Sequence, residues 1–320
     1  MAEFMRVEGL KVHYPIRSGF FNRITDYVYA VDGVDLVFEE GKTYGLVGES
    51  GSGKSTIGKA IIGLEKITDG KIFYEGKDIT SEARKRRSDY RRNVQMIFQD
   101  ALSSFNPKRR ISDILTEPMR NFANWTPEEE RRRSIELLEI VGLTEEALNK
   151  YPHEFSGGQR QRIGVARAVA INPKLVIADE PVSALDLSVQ AQVLNFMKRI
   201  QDEYNISYLF ISHDLGVVKH MCDELAIMYR GRFTEYGTRN DIYEEPQHIY
   251  TRRLLSAIPQ IDPNNREEHK LARLRVEKEY QQNAAKYYSE EGRVYDLKEI
   301  SSTHKVALKD VASLTEGSVR

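Results

Sequence analysis

The chain has 320 residues, and its 47 lysines and arginines nearly balance its 48 aspartates and glutamates, which gives a formal net charge of −1. This balance excludes the globally basic surface that is typical of proteins coating nucleic acid, while a hydrophobic fraction of 40% is enough for a buried core. The single cysteine, Cys222, excludes an intrachain disulfide and any metal site made of cysteines alone, and it favours a reducing compartment. No apolar run is long enough to predict a membrane span, and residues 1–17 lack the apolar core of a signal peptide.

The N-terminal part of the chain predicts β-structure with one helix. Strands are predicted at residues 4–7, 27–38, 43–47 and 70–74. The third of these strands leads into a glycine-rich turn, and a helix is expected over residues 54–64. The basic run at residues 84–92 is interpreted as a solvated turn and helix face, with a nucleic-acid-binding patch as the alternative.

The middle of the chain predicts helices, followed by a β/α alternation. Residues 107–150 are expected to be mostly helical, with one helix capped by Thr126 and ending near Gly142, and a further helix is expected over residues 156–170. Beyond these, strands at 175–178, 208–211 and 224–229 alternate with helices at about 188–203 and 214–221. This alternation predicts an α/β fold with a mainly parallel sheet. The charged segment 264–291 predicts a peripheral helix.

A phosphate-binding loop is predicted between the third strand and the first helix. The segment fits the pattern G-x-x-x-x-G-K-[ST], and its candidate binding residues are Gly48, Ser50, Gly51, Ser52, Gly53, Lys54, Ser55 and Thr56. Glycines let backbone N–H groups converge on an anion, and the helix N-terminus adds a partial positive charge. Lys54 is expected to reach the β- and γ-phosphates of a nucleotide and Ser55 to bind Mg²⁺, whereas Thr56 lies one residue deeper.

A P-loop also needs a carboxylate for the metal ion, and the apolar strand at 175–178 ends in Asp179 and Glu180. The carboxyl end of a buried parallel strand would deliver both acids to the phosphate site. We expect Asp179 to hold Mg²⁺, through a water molecule, and Glu180 to polarise the attacking water.

The segment Phe155-Ser156-Gly157-Gly158-Gln159, followed by Arg160-Gln161-Arg162, closely resembles the signature motif of ABC-type ATPases. Ser156 can cap a helix whose free N–H groups point at an anion. The resemblance implies that Ser156, Gly157, Gly158 and Gln159 bind the γ-phosphate held by a second subunit. It also implies a P-loop NTPase core with an antiparallel β subdomain and an inserted α-helical subdomain.

Further positions are similar to other motifs of this family. Gln99 resembles the Q-loop glutamine, which contacts Mg²⁺ and the attacking water. Asp186 resembles the D-loop aspartate, and His213, 33 residues after Glu180, resembles the switch histidine that contacts the γ-phosphate. For the aromatic residue that stacks on adenine, the family pattern indicates Tyr14, and Tyr29 is the alternative because residues 15–29 resemble an insertion.

Three further segments are similar to the oligopeptide/dipeptide importer ATPases, namely residues 100–107, 228–232 and 248–255. The resemblance divides the chain into a cassette at residues 1–260, with a helical subdomain at about 100–162, and a C-terminal extension at 261–320. Many relatives end near a His-x-Val-Ala-Cys pattern in a cysteine-rich module, some with an iron–sulfur cluster. This chain has Leu308 in place of that cysteine, so no iron–sulfur cluster is expected.

The resemblance implies an ATPase subunit that uses ATP and Mg²⁺ to power a peptide importer at the cytoplasmic face of the cell membrane. Its expected partners are two transmembrane permease subunits, a homologous or identical second ATPase subunit and, indirectly, an external solute-binding protein; no nucleic-acid partner is expected. The alternative function is a soluble ABC ATPase acting on nucleic acid or ribosomes. The transported solute, the identity of the second ATPase subunit and the role of the C-terminal tail stay open.

Overall fold

A computed structural model describes residues 2–19, 21–83, 89–100, 104–122, 124–258 and 266–311, with the side chains of residues 266–270 excepted. Most of the basic run at 84–92 and part of the importer-like segment at 100–107 lie outside these ranges. The strands are β1 Glu3–Ser18, β2 Arg23–Glu39, β3 Thr43–Val47, β4 Asp69–Tyr74, β5 Lys77–Asp78, β6 Val94–Ile97, β7 Leu175–Asp179, β8 Ser207–Ser212, β9 Glu224–Tyr229, β10 Arg232–Thr238, β11 Leu297–Glu299 and β12 Lys305–Ala307. The helices are α1 Lys54–Ile61, α2 Asp89–Asn93, α3 Ile111–Phe122, α4 Pro127–Ile140, α5 Gly157–Ala168, α6 Leu187–Tyr204, α7 Leu215–Met221, α8 Arg239–Tyr243, α9 Ile249–Ser256 and α10 Arg266–Tyr287.

An eight-stranded sheet forms the centre of the molecule, in the order β11-β12-β10-β9-β3-β8-β7-β6. The five strands from β9 to β6 run parallel, while the other three are antiparallel. This confirms the mainly parallel sheet that the β/α alternation predicts. Every residue of β3, β7 and β8 is buried, as expected for strands covered on both faces.

Alternate residues of these central strands pack into two separate cores. Val176 and Phe210 face the core that contains the helices α3 to α6, whereas Ile177 and Ile211 face the core under the antiparallel sheet. A strand side chain changes face at every residue, so one apolar run supplies both cores. This two-sided burial holds the carboxyl ends of β6, β7 and β8 in fixed register.

A second sheet is antiparallel, in the order β2-β1-β4-β5. Its strands β1 and β2 pair continuously from Glu3↔Glu39 to Ser18↔Arg23, with several bulges on the way. The segment 15–29, which resembles an insertion in the sequence, is therefore the outer part of one long hairpin. The inner part of the hairpin packs on α1 and on β10.

Helices α3 and α4 follow β6 and precede α5 along the chain, and they pack against each other. Thr126 starts α4 as the sequence predicts: its hydroxyl accepts from Glu129 N at 3.3 Å, and the Glu129 carboxylate accepts from Thr126 N at 2.7 Å. Such a reciprocal capping box satisfies two helix-terminal donors.

The C-terminal segment extends the central sheet. Helix α10 packs on α9, and β12 pairs with β10 through Glu235↔Val306 and Tyr236↔Lys305. Residues of the tail also form a small apolar cluster with Ile249. Leu308 belongs to this cluster and is 1% exposed. No helix in the described part of the chain has the length and apolarity needed to cross a membrane.

Candidate active site

The turn between β3 and α1 forms a tight glycine-rich cradle. Gly51 and Gly53 have φ angles of +80° and +108°, which residues other than glycine rarely adopt. A Cβ on Gly53 would lie 2.0 Å from Ala30 O, and one on Gly48 would lie 2.2 Å from Met228 O. The glycines of the motif are therefore required by backbone conformation and by close packing on β2 and β9.

Lys54, the first residue of α1, lies inside this cradle and is 4% exposed. Its Nζ donates to Gly48 O and to Glu49 O, both at 2.8 Å. Burial lowers the pKa of Lys54, and the nearby carboxylates of Glu180 and Asp179 oppose that shift. Two backbone carbonyls of the loop thus hold the Lys54 ammonium group inside the cradle. An anion bound there would compete with these carbonyls for the ammonium group.

Ser55 and Asp179 meet beside the cradle. Ser55 Oγ donates to Asp179 Oδ1 at 2.7 Å, and Asp179 is 6% exposed. Burial raises the pKa of Asp179, and the Ser55 hydrogen bond partly counteracts it. A hydroxyl and a carboxylate are the oxygen donors that Mg²⁺ uses beside substrate phosphates. The donor set fits Mg²⁺; among the described residues, no group of three or more His, Cys, Asp or Glu forms a metal cluster.

Glu180 follows β7 in a left-handed backbone conformation, with φ +47°. Gln99 Nε2 donates to its Oε2 at 3.0 Å, and His213 Nδ1 lies 3.1 Å from its Oε1. Gln99, Glu180 and His213 follow the adjacent strands β6, β7 and β8, so the parallel sheet delivers all three to one edge. Positive φ in a glutamate costs roughly 1 kcal/mol or more and is typical of functional sites.

These groups surround one open cavity of about 930 Å³. It is lined by Val28, Tyr29, Ala30, Gly48, Glu49, Ser50, Gly51, Gly53, Lys54, Ser55, Thr56, Gln99, Glu180, His213, Arg230, Gly231 and Leu254. The volume is within the usual range for small-molecule sites. The structure therefore brings most of the sequence-predicted site residues together, with Asp179 joined to them through Ser55.

The two candidate tyrosines are placed differently. Tyr29 lines the cavity and is 53% exposed, and its ring lies 4.7 Å from the His13 ring. Tyr14 is outside the lining; its hydroxyl interacts with Glu65 and Thr56, and burial raises its pKa. This placement favours Tyr29 as the ring available to a ligand in the cavity.

Comparison with known proteins identifies the family. The family model of the ABC transporter matches residues 31–183, and that of the oligopeptide/dipeptide transporter C-terminal region matches residues 234–291. The oligopeptide transport ATP-binding protein OppF of Lactococcus lactis subsp. lactis is 59% identical over 96% of this chain and 97% of its own. The chain belongs to the oligopeptide/dipeptide family of ABC transporter ATP-binding proteins.

Other members of the ABC family agree with this assignment. AppF of Bacillus subtilis, an oligopeptide transport ATP-binding protein, is 48% identical over 80% of this chain and 78% of its own. Among solved structures, the dimeric ATP-binding cassette MJ0796, in a post-hydrolysis state bound to ADP and Pi, has a TM-score of 0.63 and 26% identity. The match covers 73% of this chain and 98% of that one. The P-loop ABC cassette fold expected from the sequence is confirmed.

The ABC signature segment lies outside the cavity. Ser156 caps α5, accepting from Gln159 N at 3.3 Å while Gln159 Oε1 accepts from Ser156 N at 2.9 Å. A Cβ on Gly157 would meet nothing within 4 Å, whereas one on Gly158 would lie 2.4 Å from Val189 Cγ1 of α6. The described chain thus carries its cradle and its signature segment at separate places.

Asp186, which resembles the D-loop aspartate in the sequence, also lies outside the cavity lining. Its Oδ1 accepts from Val189 N at 2.9 Å and caps α6. That backbone hydrogen bond, together with one from Ser188, lowers the pKa of Asp186. Asp186 therefore stands at the start of the helix that packs on Gly158.

Val28, Ala30, Arg230, Gly231 and Leu254 line the cavity but are not predicted from the sequence. They reach it through the β1–β2 hairpin, the β9–β10 turn and α9, which are distant in sequence from the P-loop. The Tyr-Arg-Gly-Arg segment marks the importer subfamily in the sequence, but no residue pattern assigns it a place in the site.

Proposed function

We propose that this chain binds and hydrolyses Mg-ATP and thereby powers an ABC importer for peptides or related solutes. The observation that carries the proposal is the convergence of Lys54, the Ser55–Asp179 pair and the Gln99–Glu180–His213 cluster on one cavity. The ATPase activity follows from membership of the ABC transporter family. Peptide as the solute is supported by the names of relatives that match along nearly the whole chain.

For nucleotide binding, we assign the triphosphate to the cradle, whose members other than the buried Ser52 line the cavity: Gly48, Ser50, Gly51, Ser52, Gly53, Lys54, Ser55 and Thr56. Lys54 would exchange its bonds to Gly48 O and Glu49 O for phosphate oxygens, since an ion pair is stronger than an ammonium–carbonyl bond. Ser55, Asp179 and Gln99 would hold Mg²⁺. When bound, that ion would neutralise charge on the β- and γ-phosphates.

For hydrolysis, we assign Glu180 to the attacking water. Its carboxylate, fixed by Gln99 and His213, can accept a hydrogen bond from a water placed in line with the γ-phosphate. His213 would also contact the γ-phosphate, which would make the hydrogen bonding at Glu180 depend on the nucleotide. In phosphoryl transfer, positioning of this kind is the main contribution of the protein.

We further propose that a complete site needs two subunits. Ser156, Gly157, Gly158 and Gln159 lie outside the cavity of their own chain, and the N-terminus of α5 offers N–H donors to an anion. Facing the γ-phosphate of a second ATPase subunit, identical or homologous, they would let ATP hold the dimer closed, with Asp186 at the same interface. Phosphate release would then reopen it.

The proposed partners are two transmembrane permease subunits, which would place the chain at the cytoplasmic face of the membrane, and an external solute-binding protein that acts indirectly. We also propose that residues 1–260 form the cassette, with its helical subdomain at about 100–162, and that residues 261–320 form an extension.

The proposed partners and ATPase activity are tested by expressing the chain with the candidate permease genes and purifying the complex. We expect stoichiometric co-purification with two multispanning proteins and ATPase activity that Lys54→Ala abolishes.

The other candidate, an ABC ATPase acting on nucleic acid or ribosomes, predicts different behaviour in the same purification. It would co-purify with RNA, DNA or ribosomal proteins, and nuclease would release it. The formal net charge of −1 opposes this function, since it excludes a globally basic surface, which is typical of proteins that coat nucleic acid.

A further inference from the structure

The turn between β9 and β10 lies between the nucleotide cavity and the C-terminal extension. Its central residues, Arg230 and Gly231, have φ angles of +45° and +83°, as in the type I′ turns that close tight hairpins. Gly231 N donates to Ser52 O at 2.9 Å, and Gly231 O accepts from Asp32 N at 2.8 Å. The turn is therefore fixed both to the P-loop and to strand β2.

Arg230 is an exposed cation that borders two cavities. It lines the nucleotide cavity together with Tyr29, and it also lines a cavity of about 410 Å³ beneath the C-terminal extension. Its guanidinium lies 5.2 Å from the centre of the Tyr229 ring, and within the described ranges no carboxylate is within ion-pair distance of it. A guanidinium on a fixed turn at the edge of a ligand cavity, with no carboxylate of the described residues paired to it, is available to bind the ligand.

The C-terminal extension lies next to Arg230. Gly292 of the tail lines the same smaller cavity, and a Cβ added to it would be in ordinary van der Waals contact with Arg230 Nη1, at 3.6 Å. The adjoining Arg232 donates to Val294 O at 2.7 Å and to Asp296 Oδ1 at 2.6 Å. The tail thus contacts the turn on both sides of Gly231.

A second route joins the tail to the cavity through Asp32, which is 8% exposed. Arg293 of the tail donates to Asp32 Oδ2 at 2.5 Å, and His13 Nε2 lies 3.3 Å from Asp32 Oδ1. The His13 ring packs edge-on against Tyr29 at 4.7 Å. Two connected sets of contacts therefore run from the extension to the same end of the cavity.

We propose that Arg230 binds the nucleoside end of ATP and that the C-terminal extension positions it there; the proposal rests on the ATP binding proposed above. The turn contacts β2 at Tyr29, since a Cβ on Gly231 would lie 2.4 Å from Tyr29 O. A guanidinium that lines the same cavity as the Tyr29 ring can donate to ribose and base acceptors and stack on the base. The extension then acts on nucleotide affinity, whereas the phosphate chemistry depends on Lys54 and Glu180.

The direct test is the Kd of the purified full-length chain for a non-hydrolysable ATP analogue and for tripolyphosphate, measured by calorimetry. Arg230→Asn removes the guanidinium while keeping a residue that favours positive φ in such turns. It should weaken binding of the analogue about fivefold, the loss of one exposed charged contact, and leave tripolyphosphate binding unchanged. Arg230→Lys should restore part of the affinity, and Arg199→Gln, on the far part of α6, serves as the matched control.

Equal Kd values for Arg230→Asn and Arg199→Gln would overturn the binding role, and so would an equal loss for both ligands. If wild type and all variants fail to bind either ligand, the proposed function itself is wrong.

The positioning role of the tail is tested with Arg293→Gln. It removes the bond to Asp32 but leaves the pairing of β12 with β10. We expect a higher KM for ATP in the assembled complex with kcat unchanged, and little further increase when Arg230→Asn is added. A variant that only lowers Tm, with the wild-type KM, would show that the tail contributes stability and does not position Arg230.

Discussion

Glu180 is the residue at which the backbone and the proposed chemistry are most closely linked. Its left-handed conformation turns the carboxylate between Gln99 and His213, away from the continuation of β7. Ser183 supports the conformation, since its Oγ donates to Glu180 O at 3.2 Å. Hydrogen bonds to the carboxylate and to the backbone carbonyl therefore both hold Glu180 in this strained conformation.

Glu180→Gln should preserve nucleotide binding and abolish turnover. Glutamine keeps the size and polarity of the side chain but removes the carboxylate that orients water, which we expect to lower kcat by at least about 100-fold. The variant should accumulate as an ATP-bound dimer in gel filtration, because hydrolysis no longer reopens the interface. Glu203→Gln, on the surface of α6, is the control; turnover near the wild-type rate in Glu180→Gln would exclude this role.

Tyr29→Ala should weaken ATP binding more than Tyr14→Ala. Stacking of a base on an aromatic ring is worth about 1–3 kcal/mol, so a rise in Kd of roughly five- to 150-fold is expected. Tyr14 provides the matched comparison, because its hydroxyl faces Glu65 and Thr56 and its ring is outside the cavity lining. A loss confined to Tyr14→Ala would instead assign the base to Tyr14.

The placement of several motif residues at one edge of the sheet is predictable from the sequence, because each motif combines a local pattern with a strand end. Asp179 ends the parallel strand β7, Gln99, Glu180 and His213 follow β6, β7 and β8, and the sheet brings such strand ends together. The tyrosine choice depends on the geometry of a long bulged hairpin, which no local pattern encodes. Arg230 and Leu254 depend on long-range packing and were missed for the same reason.

At the scale of elements, the packing of α5 on α6 depends on one glycine. Gly158→Ala would place a methyl group 2.4 Å from Val189 Cγ1, and relieving this overlap should cost about 1–3 kcal/mol of stability. Gly157→Ala, whose Cβ meets nothing within 4 Å, is the neighbouring control. Thermal unfolding should show a lower Tm for Gly158→Ala; equal Tm values for the two variants would show that the helices move apart at little cost.

The start of α9 contains a buried histidine that should make the fold sensitive to acid. His248 caps the helix and is fully buried against Tyr287 and Tyr288, and burial lowers its pKa to about 3. An unfolded histidine has a pKa of about 6.5, so between these values the unfolded chain binds the extra proton. This contribution to stability is complete above about pH 6.5 and decreases as the pH falls towards 3.

We therefore expect His248 to account for about 2 kcal/mol of the stability lost between pH 7 and pH 5. His248→Asn keeps a side chain that caps helices but does not titrate in this range. Urea unfolding at both pH values should show a smaller difference for the variant, whatever its absolute stability. The same pH dependence in wild type and variant would contradict neutral burial of His248.

Element boundaries are also partly predictable. Thr126 and Ser156 start helices where capping patterns indicate, and the charged segment 264–291 contains α10. The sequence does not predict that β11 and β12 extend the central sheet. Three-residue strands at a sheet edge have too little apolar periodicity to be recognised, and β10, with which β12 pairs, lies about 70 residues away from it.

At the scale of the whole molecule, the chain places its cradle, its signature segment and its C-terminal extension in different regions. The cavity is lined by most of the residues proposed for phosphate binding and water activation, and the N-terminal residues of α5 and α6 are not part of that lining. In the proposed dimer, each site would be complete only when the signature segment of a second chain covers the phosphate, and ATP would thereby join the two subunits. Near-neutral net charge also suits a subunit placed against other proteins on several sides.

The most direct test of peptide import powered by this ATPase is uptake of a radiolabelled peptide by cells or vesicles that contain the permease subunits and the solute-binding protein. Wild type should accumulate the peptide against its gradient in an ATP-dependent manner. A matched amount of Glu180→Gln, assembled equally well, should support no accumulation. ATP-dependent uptake that persists in Glu180→Gln, or that is absent from a fully assembled and ATP-hydrolysing wild-type complex, would contradict the account.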